Sequence, residues 1–309
     1  MGNRVAVLGS LNADLVVRVP RFPAPGETLT GTSFSRFPGG KGANQAYAAA
    51  RMGETPALIG QVGDDDLGRW LTTHLADGGV DVSRVAAVSD GTGLALITID
   101  AEGQNHIVLV PGANGTFTPE RLVRTTEWAS GARVLLLQLE IPMETVQRAA
   151  EAARASGALV VLDPAPAAPM PRELVTVIDL LTPNETELAA LTGGGTVSGE
   201  RDVRWRAERL IAEGTRSVLV KWGPHGARLF GALGEHTWPA PRVAAVDTTA
   251  AGDTFNGALA AALARGADIE HAGHRAVTAA TISVTRPGAQ PSMPDAEEVD
   301  RWLGTHGAK

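Results

Sequence analysis
The feature that most restricts how this chain can fold is a repeated alternation. Short apolar, β-branched runs at 5–8, 57–59, 134–139, 159–162, 177–181 and 218–220 lie next to turns rich in Gly, Ser, Asp, Asn and Pro. Between them are Ala-rich segments with helical spacing, at 43–52, 67–77, 143–156, 185–191 and 203–213. The runs lack in/out alternation, which suits strands covered on both faces of a parallel sheet. Parallel neighbours need crossovers, and the helical segments supply them. The pattern predicts an α/β fold with a doubly wound, mostly parallel sheet flanked by helices. Two further helices are expected at 253–265 and 269–281.

Two stretches break the rhythm. Residues 15–19 and 27–36 flank a Pro-Ala-Pro-Gly turn, and 94–100 and 106–110 flank Ala101-Glu102-Gly103-Gln104-Asn105, both patterns of paired strands. They interrupt two separate crossovers, at about 14–38 and 92–111. A small accessory sheet that lids a site is therefore expected, rather than four edge strands of the main sheet. No repeat, low-complexity tract or linker divides the 309 residues, so one domain, 1–309, is expected. With no Cys, disulfides, thiolate nucleophiles and Cys-ligated zinc are excluded. A formal charge of −7 speaks against a phosphate-backbone binder, and 4% aromatics against a stacking platform, so no nucleic-acid partner is expected. The N-terminus has no secretory pattern, and no stretch nears the ~18 apolar residues of a membrane span. A cytoplasmic protein without a membrane partner is the expectation.

Candidate chemistry gathers in three segments. In Asp247-Thr248-Thr249-Ala250-Ala251-Gly252-Asp253-Thr254-Phe255-Asn256-Gly257, small residues lead into an Ala-rich helix. The amides of Ala250, Ala251 and Gly252 can then lie unpaired at a helix N-terminus, which makes an anion site. Asp253 is also an ordinary capping choice, but a carboxylate beside such a cradle has the makings of a base. The second segment, Gly39-Gly40-Lys41-Gly42-Ala43-Asn44-Gln45, is not a Walker A loop, because Gly follows the Lys. Its glycines admit a ligand close to the backbone, and Lys41 and Asn44 offer donors, although a capped Gly-rich turn reads the same way. The third, Gly9-Ser10-Leu11-Asn12-Ala13-Asp14, follows the first strand, where open α/β sheets bind ligands. Asn12 and Asp14 suit a vicinal diol, and Glu140 adds an acceptor, although turn chemistry alone also favours Asn and Asp there. His271 and His274 lack a third ligand, and neither G-x-S-x-G nor G-x-G-x-x-G occurs. Asp64-Asp65-Asp66 reads as a helix N-terminus rather than a metal cluster.

Nearly end to end, the chain resembles the ribokinase branch of the PfkB carbohydrate-kinase family. The resemblance is carried by the three segments above together with Asp163-Pro164-Ala165-Pro166-Ala167, Thr182-Pro183-Asn184-Glu185-Thr186-Glu187 and Thr285-Arg286-Pro287-Gly288-Ala289-Gln290-Pro291-Ser292. It implies ATP-dependent phosphorylation of D-ribose at the 5-hydroxyl, with Asp253 as base and the Ala250, Ala251 and Gly252 amides as anion hole. It places ribose at Asn12, Asp14, Gly40, Lys41, Gly42, Asn44 and Glu140. The nucleotide falls to Asn184, Lys221, Gly223, Gly226, Gly252 and Val277. Potassium falls to Asp247, Thr249, Ser283, Arg286, Gly288 and Ser292, several through backbone carbonyls. Mg²⁺ is implied with ATP, near Asn184 and Glu187, as is a homodimer clasped through the lid strands. Three departures stand out: Lys221 where the branch often has Thr, Asp163 where it often has Asn, and Val277 beside the adenine. Lys221 either contacts a phosphate or points to solvent. Two alternatives are a kinase for deoxyribose, fructose or a nucleoside, and a catalytically silent sugar-binding module, which has no need of a base beside an anion hole.

Overall fold
The structure, a computed structural model, describes residues 4–123 and 131–306; the first three residues of the N-terminal run lie outside it. Strand β1 (Val5–Leu8) runs through the middle of a nine-stranded sheet. Its side chains alternate between two cores: Val5 and Val7 pack on one face, Ala6 and Leu8 on the other. The same holds for β8 (Val134–Leu137) and β9 (Leu159–Leu162). Burial on both faces is why these runs read as continuously apolar.

On one side of β1 lie β4 (Ala57–Gly63) and β5 (Asp81–Val88). On the other lie β8, β9, β10 (Leu180–Leu181) and β11 (Ser217–Lys221), all paired in parallel. Antiparallel β12 (Ala227–Gly231) and β13 (His236–Trp238) close that edge. Chain order therefore reverses between β1 and β8, a switch point that opens a crevice at the strands' carboxyl ends. The sequence reading misses β5, β12 and β13, strands at the two edges of the sheet where an apolar run is not required. It overextends β10, because the Val177 and Ile178 amides close turns onto Leu174 and Val175 instead.

A separate four-stranded sheet has the order β3-β2-β6-β7. Its strands are β2 (Asn12–Arg18), β3 (Ser33–Gly39), β6 (Gly93–Ile99) and β7 (Asn105–Val110). Strand β3 starts six residues later than the sequence suggests and takes in Phe37-Pro38-Gly39, because its register pairs Gly39 with Asn12 and Ser33 with Arg18. Phe34 and Val108 on this sheet are 63% and 60% exposed.

Helices α1 (Lys41–Arg51) and α8 (Ala251–Ala264) cross on one face of the main sheet. They touch at Gly257, where an added Cβ would stand 2.5 Å from the Ala48 Cβ and 2.7 Å from the Gln45 oxygen. Only Gly allows that approach, and it sets Asn44 and Gln45 of α1 against Asp253, one turn earlier on α8. Helix α2 (Asp66–Asp77) begins at Asp65, which accepts from the Gly68 amide as the Asp-rich start suggests. Among the described residues, no helix is long and apolar enough to cross a membrane.

Candidate active site
The carboxyl ends of five parallel strands converge on one crevice. Ser10, Asn12 and Asp14 follow β1, Glu140 follows β8, Asp163 follows β9, Asn184 follows β10, and Lys221 ends β11. A cavity of about 790 Å³ opens there, lined by Lys41, Asp163, Asn184, Glu187, Lys221, Gly223, Gly226, Gly252, Asp253 and Val277. Asn12, Asp14, Asn44 and Glu140 do not line it; Asn12 and Asp14 belong to strand β2 of the accessory sheet, and Asn44, on α1, connects to the cavity through Asp253.

Asp253 is 5% exposed. Asn44 Nδ2 donates to one carboxylate oxygen at 3.0 Å and Gln45 Nε2 to the other at 3.1 Å. Burial pushes its carboxyl above the usual range; Lys41 works against that shift and Asp163 adds to it. Helix α8 starts two residues earlier than the sequence suggests, capped by Ala250 in a left-handed conformation at φ 57°. Ala250 is the one non-Gly residue with positive φ among those described, a strain of the kind concentrated at functional turns. The first intrahelical bond runs from the Thr254 amide to the Ala250 oxygen at 2.8 Å. No described residue accepts from the amides of Ala250, Gly252 or Asp253. The expectation for Ala251 is corrected, since its amide donates to the Thr248 oxygen at 3.2 Å.

Burial, then Glu140, then Asp253 push the Asp14 carboxyl up to about 7. Glu140 ties the glycine-rich loop to β1: its Oε2 accepts from Ser10 Oγ at 2.5 Å and from the Lys41 amide at 3.0 Å. Asn12 Oδ1 accepts from Asn114 Nδ2 at 2.8 Å, and Asn114 also clamps the Leu11 backbone. Lys41 stays protonated. Burial opposes its charge, but Asp253, Asp163, Glu140 and Glu187 outweigh it.

Lys221 takes neither alternative alone. Its Nζ donates to Asp163 Oδ1 at 2.7 Å, with the two side chains 10% and 2% exposed. Asp163 Oδ2 accepts from Gln45 Nε2 at 2.9 Å, and Gln45 also reaches Asp253. Two of the three residues that depart from the ribokinase pattern are thus partners, and the ammonium stands 3.3 Å from where a Gly252 Cβ would lie.

The sequence pattern of the pfkB family carbohydrate kinases matches residues 3–296. The chain belongs to that family. A ribokinase of Haemophilus influenzae is 41% identical over 98% of this chain and 99% of its own length. A deoxyribokinase of Salmonella typhimurium is 37% identical over 97% and 98%. Among solved structures, Arabidopsis thaliana ribokinase complexed with ribose and ATP superposes with a TM-score of 0.93 at 36% identity, covering 98% of this chain and 99% of that one.

In this pfkB-family kinase, a phosphotransferase, Asn184 and Glu187 form a capping box at the start of α6 (Glu185–Leu191). Burial raises the Glu187 carboxyl and Lys221 opposes the shift, so this carboxylate would gain from a cation beside it. Asp247 joins two distant segments: its carboxylate accepts from the Thr249 amide at 2.9 Å and hydroxyl at 2.6 Å, and from the Gly288 amide at 2.8 Å. Arg286 pairs with Glu298, and Ser283 and Ser292 are buried. Sequence reasoning missed Gln45, Asn114, Gln138 and Gln290. Gln45 joins Asp163 to Asp253, Asn114 ties Asn12 to the Leu11 backbone, Gln138 donates to Gln45 and Gln290 to Asn44; of the four, only Gln45 and Gln290 fall inside the motif segments.

Proposed function
We propose that this kinase transfers the γ-phosphoryl group of ATP to the 5-hydroxyl of D-ribose, giving ribose 5-phosphate and ADP, with Asp253 as general base. The observation that carries the reading is the placement of Asp253. It is a buried carboxylate held by two side-chain amides, in the first turn of a helix with unpartnered amides, at the wall of a cavity of nucleotide size. The relatives named ribokinase, and the one solved with ribose and ATP, support the choice of sugar.

In this reading Asn12, Asp14, Gly40, Lys41, Gly42, Asn44 and Glu140 grip the sugar, with Asp14 accepting from its hydroxyls as a carboxylate. The 5-hydroxyl attacks the γ-phosphorus as its proton passes to an Asp253 oxygen. The amides of Ala250 and Gly252, the dipole of α8 and Lys41 hold the charge of the phosphoryl group in flight. Asn184, Lys221, Gly223, Gly226, Gly252 and Val277 bound the nucleotide. Asn184 and Glu187 would stand by the Mg²⁺ that arrives with ATP, which supplies charge neutralisation on the phosphates. The donors near Asp247 suit potassium, a hard cation that takes oxygen ligands. No described residue donates to the carbonyls of Thr249, Arg286 or Gly288, and Asp247 draws their segments together. Asp247, Thr249, Ser283, Arg286, Gly288 and Ser292 would hold the ion. The accessory sheet would cover the sugar and keep water from the phosphate. Its exposed apolar side chains, Phe34, Ile107, Val108 and Leu109 among them, support a homodimer through the lid. A cytoplasmic location, where ATP is supplied, belongs to the same reading.

The test is an ADP-release assay over ribose, 2-deoxyribose, fructose and a nucleoside, with and without potassium. Ribose is expected to turn over fastest, with potassium raising the rate. Preference for deoxyribose would move the chain toward its deoxyribokinase relatives, and binding without turnover would reject the kinase mechanism. Asp253→Asn is expected to bind both substrates and lose roughly 10²–10⁴ in turnover.

A further inference from the structure
Behind Asp253, a chain of side chains leaves the site with a single hydrogen-bond direction. Asn44 Nδ2 donates to Asp253 Oδ2 at 3.0 Å, Gln290 Nε2 donates to Asn44 Oδ1 at 3.0 Å, and His74 Nε2 lies 2.9 Å from Gln290 Oε1. The four residues come from α8, α1, the turn at Gln290–Ser292 and α2. Asp253, Asn44 and Gln290 are buried. His74 is half-buried, its ring stacked on Tyr47 of α1 at 5.6 Å.

The direction is forced by chemistry. An ionised carboxylate only accepts, so Asn44 must turn its NH₂ group toward Asp253. The Asn44 oxygen then needs a donor, and Gln290 provides it. The Gln290 oxygen needs one in turn, which requires a hydrogen on His74 Nε2. Both the neutral Nε2–H tautomer and the imidazolium meet that need, so the chain does not switch with the charge of His74. An inverted Asn44 would set one oxygen against another at the base.

We propose that Gln290 and His74 are positioning residues for phosphoryl transfer: they fix the amide of Asn44, which holds the Asp253 carboxylate ready for the hydroxyl proton. The proposal rests on the reading of Asp253 as base. Other groups also act on that carboxylate. Burial raises it, Lys41 opposes, Asp163 adds, and the Asn44 and Gln45 amides oppose, while Asp14 lies within electrostatic reach. Losing the hold on Asn44 therefore has one sign, a base that is harder to ionise.

Two substitutions at Gln290 separate direction from packing. Gln290→Glu is nearly isosteric but cannot donate when ionised, so it inverts Asn44; Gln290→Met fills the space with no polar group. Both are expected to lower kcat by about 10–100-fold. Both should also move the acid limb of kcat/KM for the sugar upward by about one pH unit, with KM for ATP unmoved. His74→Leu should shift the limb the same way, and His74→Gln, which keeps an N–H donor, should recover it. A folded Gln290→Met protein with the parental acid limb overturns the proposal whether or not kcat falls, because a packing role leaves the limb in place. If the Gln290 variants do not fold, the His74 pair decides, and identical limbs in Leu and Gln overturn it. Near-normal turnover by Asp253→Asn sinks the base reading itself. An inactive Asp253→Asn beside an unmoved limb in Gln290→Met removes only the relay.

Discussion

The ion pair of Lys221 with Asp163 sets up a sharp double-mutant cycle. Lys221→Met removes the cation and leaves a carboxylate whose side chain is 2% exposed, with Asp253 nearby through Gln45. A buried charge stripped of its partner costs about 3–5 kcal/mol. Asp163→Asn costs less, about 1–2 kcal/mol, because the Lys221 ammonium borders the cavity and keeps access to water. In the double variant no charge is stranded, and the amide oxygen introduced at position 163 still accepts from Gln45. Its stability should fall within about 0–2 kcal/mol of the parent. The double variant is therefore more stable than Lys221→Met alone, with a coupling of roughly 4–5 kcal/mol. Urea unfolding with unchanged m-values reads these differences, and thermal melts of Lys221→Met should fall by roughly 6–10 °C. A cycle that adds to within about 0.5 kcal/mol, or a Lys221→Met protein as stable as its parent, refutes the pairing argument.

Other outcomes follow from single groups. The Asp14 carboxyl lies at about 7 in the folded chain against an ordinary 3.8, so the stability it contributes is full below the lower value and lost as pH rises through the upper one. Melts of ligand-free Asp14→Asn should thus exceed the parent above pH 7 and converge with it in acid, while KM for the sugar rises; a variant less stable than the parent in alkali contradicts this. Gly252→Ala meets only the flexible end of Lys221, at 3.3 Å, so it should fold normally yet lose turnover as the methyl group crowds the amide cradle; unimpaired kcat would show that no phosphate passes there. Val108→Glu on the exposed lid face should yield a monomer by light scattering where the parent is a dimer, and a parent that is itself monomeric removes the clasp.

The parts of this site that were legible in sequence are those built from neighbours in the chain. The cradle and its acid lie within four residues, Ala250 to Asp253, so composition alone marks them. The strands of the accessory sheet were visible because each pair closes on its own turn, although β3 slid when its register with β2 took precedence over local turn signals. What sequence did not disclose are pairings across the fold. Lys221 and Asp163 are 58 residues apart, and Gln290 and Asn44 are 246 apart. Each taken alone is an unremarkable polar residue, and only the convergence of strand ends and the crossing at Gly257 gives it a partner. Glu140 shows the same limit, since its need for a hydroxyl proton is met in part by Ser10.

Only Gly9, Ser10 and Leu11 separate core strand β1 from accessory strand β2, and Asn12 and Asp14 stand at the start of that second strand. In the proposed reading, the residues that would grip the sugar are therefore continuous in the chain with the sheet that would cover it. On that reading selectivity and closure would form one mechanical coordinate, and a sugar that did not satisfy Asp14 would also leave the cover unseated. New preferences among relatives of this fold should arise as readily from changes at the rim of the small sheet as from changes at the carboxylate itself.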